Sequence, residues 1–211
     1  MIVGLMLLGC LENESRVEDQ EETDQEEQVD QEETEQEETE ENPNPEYIGG
    51  YNTNLCEVQP TPTGHAIGET SPDFELMDQH GEMISLSDFC NNTVLLVASA
   101  GWCGACRSEA PELQALYEEY KESGFTVITM MGSNEQDQYP SQEDLQDWAQ
   151  SYGITHPVLA DSQYQVVVDY LWANPGFTGT IGVPNMQLLS SGMIVETSND
   201  RLTEADIIPY L

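Results

Sequence analysis

Positive charge is nearly missing from this chain: four Lys and Arg stand against 41 Asp and Glu among 211 residues, a formal net charge of -37 at pH 7. Phosphates would be repelled, which excludes nucleic acid and an anionic membrane surface as electrostatic partners. Long apolar runs are missing as well. The opening stretch "MIVGLMLLGC" falls far short of the ~20 apolar residues that span a bilayer, so it is not a transmembrane helix. Histidine is scarce: His65, His80 and His156 are scattered, and each reads as a surface or satisfied loop histidine. The chain has a single C-x-x-C, whereas a structural zinc site draws four ligands from paired clusters, so no metal site is expected.

What is present falls into blocks. The first ten residues end in Leu7-Leu8-Gly9-Cys10, which resembles the end of a bacterial lipoprotein signal and implies lipidation of Cys10 and a membrane anchor. The Lys or Arg that usually precedes such an apolar run is absent, and an apolar N-terminus with an incidental cysteine is the plain alternative. Residues 11–46 form an acidic low-complexity linker, with pentads such as "DQEET" repeated between residues 19 and 40. Dense charge of one sign with almost no apolar side chains cannot offset ordering entropy, so this tract is expected to be a disordered spacer. As a calcium-binding tail it lacks the ligand spacing of a defined site.

Pro43, Pro45, Gly49 and Gly50 mark the boundary of the folded region. There, "DFELMDQHGEMISLSDF" reads as two short strands around Gln79–Gly81, and "TVLLVASA" as a strand buried on both faces. A helix is expected from about Gly104 to Ser123, with Leu113, Leu116, Tyr117 and Tyr120 at helical spacing and Gly124 as its stop. A second buried strand, "FTVITMM", precedes a helix opened by the capping pair Ser141/Asp144 and closed by Gly153. A short strand "HPVLA", a helix over Tyr164–Trp172, a hairpin "NMQLL"/"MIVET" and a last helix from Thr203 follow. Strands alternating with helices imply an α/β sandwich with a mixed central sheet.

The chemistry lies in "GWCGACRSEAP", Gly101 to Pro111. Cys103 falls where a buried strand meets a helix, so its sulfur sits near unpaired amides that lower a thiol's pKa. Cys106, one turn on, can close a small ring with Cys103 and release a mixed disulfide. A purely structural bridge between them would remove little chain entropy.

These residues, with Pro111 inside the helix, the "PDFELMDQHGEMISLSDF" entry and the later "GVPNMQLLSSGMIVE", resemble the TlpA/ResA type of membrane-anchored thiol-disulfide oxidoreductase within the thioredoxin superfamily. The resemblance covers roughly residues 65–211 and implies there a thioredoxin-like three-layer α/β/α sandwich, preceded by an N-terminal extension, 47–64. It implies Cys103 as attacking thiol, Cys106 as resolving thiol, Trp102 in the docking surface, Pro184 as a cis-proline beside the disulfide, and Val183 offering backbone to a partner peptide. Glu109, three residues after Cys106 on the same helical face, is the candidate proton acceptor for the resolving thiol; a solvated helix glutamate is the alternative. Two positions depart from the pattern: Ala105 replaces the proline between the cysteines, and Val97 stands where thioredoxin carries a buried acid. Arg107 could favour the thiolate or merely solubilise.

With Cys10 lipidated and Cys103/Cys106 redox-active, Cys56 and Cys90 remain as an even pair, expected to form a structural disulfide in an oxidising periplasm, or else to be two free buried thiols. The resemblance implies no cofactor beyond the Cys103–Cys106 dithiol, disulfide-containing protein substrates, a membrane electron donor or acceptor, and a monomer. A peroxidatic motif would need Pro at Leu96 and Thr or Ser at Ala100. A passive lipoprotein module is the reading from another class.

Overall fold

The computed structural model describes residues 47–48, 50–172, 182–199 and 201–211. The lipidation expected at Cys10, the segment before it and the acidic linker at 11–46 lie outside the described residues. Two small antiparallel pairs come first, β1 (Tyr47–Ile48) with β2 (Tyr51–Asn52) and β3 (Glu75–Met77) with β4 (Met83–Ser85). The main body follows as β5 (Thr93–Ser99), α1 (Gly104–Tyr120), β6 (Phe125–Met131), α2 (Gln142–Tyr152), β7 (Val158–Ala160) and α3 (Gln165–Trp172). It closes with β8 (Asn185–Ser190), β9 (Ile194–Asn199) and α4 (Glu204–Ile207).

The central sheet runs β7-β6-β5-β8-β9, with β5, β6 and β7 parallel and β8 and β9 antiparallel to their neighbours. β5 is buried at every position because both of its faces are covered. Leu95 and Val97 pack with Leu113 and Tyr117 of α1 and Ile207 of α4, while Val94, Leu96 and Ala98 pack with Val167 and Tyr170 of α3. Side chains alternate across a strand, so this continuous apolar run serves two cores at once. Leu145, Trp148 and Ala149 of α2 join a third cluster with Cys103 and Cys106.

Helix ends follow their residues. Ser141 caps α2, accepting the amide of Asp144 at 3.2 Å, while the Asp144 carboxylate accepts the Ser141 amide at 2.8 Å. Gly153 and Gly124 take left-handed φ of 66° and 80° where the helical segments stop.

The extension drawn at 47–64 packs into the domain's own core. Tyr51 is buried, and its hydroxyl donates to the carboxylate of buried Asp78 at 2.7 Å. That carboxylate also accepts the amides of His80 and Glu82, at 2.8 and 2.9 Å. Burial of such a ring stabilises by roughly 2–3 kcal/mol. Among the histidines His80 is exposed and His65 half-buried, while His156 is fully buried, its Nδ1 3.1 Å from Gln114 Oε1 and its Nε2 3.1 Å from Thr129 Oγ1. Burial holds this imidazole neutral, with its pKa lowered from 6.5 to about 3 against a weak opposing pull from Glu118.

Candidate active site

β5 delivers the chain through Ala100, Gly101 and Trp102 to the start of α1. Gly101 is required by close approach: a Cβ there would lie 2.6 Å from backbone atoms of Asn134 and Glu135. Its own amide donates to the Ser133 carbonyl at 2.8 Å. The loop after β6 therefore lies directly against the turn that carries the cysteines.

Cys103 is the N-cap of α1, in extended conformation (φ -74°, ψ 111°), and its sulfur accepts the Cys106 amide at 3.1 Å. A sulfur in this place meets amides with no partner inside the helix, which favours its thiolate once the bond to Cys106 is reduced. Here Cys103 and Cys106 are joined as a disulfide, with Cα atoms 5.3 Å apart, and both are buried. The Val183 carbonyl oxygen lies 3.5 Å from Cys103 Sγ, and the Val183–Pro184 bond is cis. A disulfide sulfur has no proton to give, so this contact becomes a hydrogen bond only when Cys103 carries its thiol proton. The structure thus brings together Cys103, Cys106, Val183 and Pro184.

Trp102 stands beside them, 48% exposed, with its indole N–H donating to Ser133 Oγ at 2.8 Å and to Asp137 Oδ1 at 3.1 Å. Arg107 reaches back across the turn: Nε donates to the Gly101 carbonyl at 2.8 Å and Nη2 to Glu135 at 2.7 Å. Its charge is engaged with a carbonyl and a carboxylate, so its observed work is to tie the first turn of α1 to the loop after β6.

Glu109 lies one turn past Cys106, and its side chain is 12% exposed. Oε1 is 3.8 Å from Arg201 Nε, and Oε2 is buried without a partner among the described residues. Burial raises the pKa of this carboxyl, the Arg201 charge pulls it back, and Glu112 adds to the rise. A cavity of about 320 Å³ opens beside it, walled by Leu116, Met186 and Leu202. At Val97 the β5 position is buried among Leu95, Leu113 and Met186 and offers no proton acceptor.

Cys56 and Cys90 form a second disulfide, Cα atoms 5.5 Å apart, in the cluster that contains Tyr51. No group of three or more His, Cys, Asp or Glu able to hold a metal occurs among the described residues. Sequence reasoning missed Ser133 and Asp137 as supports of Trp102, and Tyr164, whose hydroxyl lies 3.5 Å from Ser133 Oγ. These contacts join segments about 30 residues apart, which local sequence pattern does not reveal.

A Cys-x-x-Cys disulfide at the junction of a buried strand and a helix, beside a cis-proline in a mixed sheet, defines a thioredoxin-like thiol-disulfide oxidoreductase. The chain belongs to the AhpC/TSA family, which it matches over residues 67–196. It is 32% identical over 108 residues to "Thiol-disulfide oxidoreductase ResA" of Geobacillus kaustophilus, covering 51% of this chain and 59% of that protein. It is 27% identical over 150 residues to the ResA of Geobacillus thermodenitrificans, covering 71% of this chain and 78% of that one. A secreted thiol-disulfide isomerase from Corynebacterium glutamicum shares the fold, with a TM-score of 0.55 at 23% identity over 73% of this chain and 90% of that one. Buried Leu96 and Ala100 occupy the places where a peroxidatic motif ending at Cys103 would have its proline and hydroxyl residue.

Proposed function

We propose that this chain reduces disulfides in protein substrates of the bacterial envelope, held near a membrane through Cys10, with electrons supplied by a membrane dithiol donor. The observation that carries the reading is the Cys103 sulfur at the α1 N-cap, accepting the Cys106 amide at 3.1 Å beside Val183 and cis-Pro184. In the reduced protein the Cys103 thiolate attacks one sulfur of the substrate disulfide. That bond breaks, and the departing sulfur leaves with the electron pair and takes a proton. Cys106 then gives up its proton, for which Glu109 is the nearby acceptor on the same helix, and attacks the Cys103 sulfur of the mixed disulfide. The substrate leaves with two thiols, having gained two electrons and two protons, and Cys103–Cys106 closes. Val183 offers its carbonyl to the backbone of the bound segment, and Trp102 forms part of the docking surface.

The envelope location is supported by the second disulfide, since such bonds persist in oxidising compartments, and by the lipoprotein-like start. The test of direction is the Cys103/Cys106 reduction potential, read by equilibrating the protein in thiol/disulfide buffers and counting alkylated cysteines by mass. A value near about -270 mV is expected for a reductant, and one near about -120 mV would make the chain an oxidant instead.

A further inference from the structure

The loop that supports Trp102 also walls a groove of about 730 Å³, lined among others by Gly132, Ser133, Asp137, Tyr139, Gln163 and Tyr164. A volume of this size suits a large side chain with part of its backbone. The wall is held in place by specific contacts. Asp137, Gln163 and Tyr164 have φ of 58°, 61° and 59°, a region that costs L residues with a side chain about 1 kcal/mol or more each. The Gln163 amide donates to the Gly132 carbonyl at 2.9 Å, and the Tyr164 amide to the Asp161 carbonyl at 2.8 Å. Gly132 must lack a side chain, because a Cβ there would meet the Tyr164 ring at 2.1 Å.

The lining has a distinct chemistry. Tyr139 is 63% exposed, Tyr164 contributes a second ring, and the half-exposed Trp102 borders the groove through Ser133 and Asp137. The Asp137 carboxylate receives a neutral indole N–H, and no cation pairs with it among the described residues. Nor does the folded region hold a cation in reserve. After Tyr47 the sequence has Arg107, Lys121 and Arg201, and these are paired with Glu135, with Glu118, and with Glu109 and Glu112. Aromatic faces around an unneutralised carboxylate fit a guanidinium or ammonium group.

We infer that this groove receives an Arg or Lys side chain of the substrate polypeptide, so that the enzyme favours cysteines flanked by a cationic residue. The inference rests on the exchange reaction proposed above. It names a substrate class for that reaction: disulfides in basic segments, positioned by a contact beside Trp102 rather than at the sulfurs.

The test uses the reduced full chain and short disulfide peptides that differ at one position two residues from the cysteine: Arg, Ser, Phe or Glu. The expected second-order rate constant is about 10-fold higher for Arg than for Ser, with Phe no better than Ser and the Arg advantage shrinking at about 0.5 M salt. Asp137→Asn keeps an acceptor for Trp102 and tolerates positive φ, and Tyr139→Ala removes an exposed ring. Each is expected to lower the Arg/Ser ratio by about threefold or more. A ratio unchanged in both variants would assign the preference to the overall negative charge and overturn the groove. A Phe peptide turning over fastest would overturn it in favour of an apolar anchor. Turnover of the Ser peptide with no Arg advantage would overturn the groove and leave the exchange chemistry standing, whereas turnover of no peptide would overturn both.

Discussion

Cys56–Cys90 joins residues 34 apart in sequence, whereas Cys103–Cys106 joins residues three apart. The first withdraws much of the freedom of the unfolded chain, about 4 kcal/mol by loop entropy, and the second withdraws little. Their surroundings differ in the same sense. Cys90 follows a short 3-10 turn, Leu86–Phe89, at its carbonyl end, and its own carbonyl accepts the Gly192 amide at 2.7 Å. Cys103 sits at the amide end of a helix of 17 residues. Carbonyl ends disfavour an anion and amide ends favour it, so under the proposed function the Cys56–Cys90 bond serves as a tie, while Cys103, once its bond to Cys106 is reduced, sits where a thiolate is favoured. The difference teaches that burial does not separate the two, since both Cys90 and Cys103 are buried, whereas their place at opposite ends of a helical segment does.

The sharpest way to break this comparison is to exchange the roles. Cys103→Ser is expected to reduce disulfide exchange to the background of the uncatalysed reaction, while the Cys56→Ser/Cys90→Ser double variant keeps its rate. Turnover of a fluorogenic disulfide peptide reads both, and activity surviving in Cys103→Ser would move the attacking role elsewhere. Next in size is stability. The double variant is expected to lose about 2–4 kcal/mol of unfolding free energy in urea at pH 7, and a loss under about 1 kcal/mol would remove its structural role.

Much of this contrast was legible in the sequence. The run "TVLLVASA", the Ser141/Asp144 pair and Gly153 announced a buried strand and a capped helix through local pattern. The strand "TVLLVASA" and the helical spacing of Leu113, Leu116, Tyr117 and Tyr120 after it then put Cys103 at the strand–helix junction. What local pattern could not announce were contacts between distant segments. Tyr51 meets Asp78 across 27 residues, and Arg107 meets Glu135 across 28. Gly101 needs no side chain because of a loop more than 30 residues ahead, and nothing in its own neighbourhood says so. Gln163 and Tyr164 carry positive φ without the glycine or asparagine that usually signals it.

A last expected effect separates folding from reactivity by pH. The folded pKa of His156, about 3, lies below the ordinary 6.5, so the unfolded chain takes up a proton that the folded chain refuses. Its contribution to stability is complete above pH 6.5 and is lost progressively as pH falls toward 3. Chemical denaturation at pH 7, 6, 5 and 4 is expected to show His156→Gln with a shallower acid decline than the parent. Equal slopes would place the acid sensitivity in the carboxylates.

The burial of Tyr51 and the bond from Cys56 to Cys90 also decide where this domain begins in practice. A recombinant version trimmed to residue 65, where the family resemblance begins, would leave a tyrosine-sized hole over Asp78 and an orphaned thiol at Cys90. Such a thiol is itself a reagent for disulfides, including the one at Cys103–Cys106. Trimming would thus convert a protein with one reactive sulfur pair into one with three competing partners, prone to wrong pairings and covalent dimers.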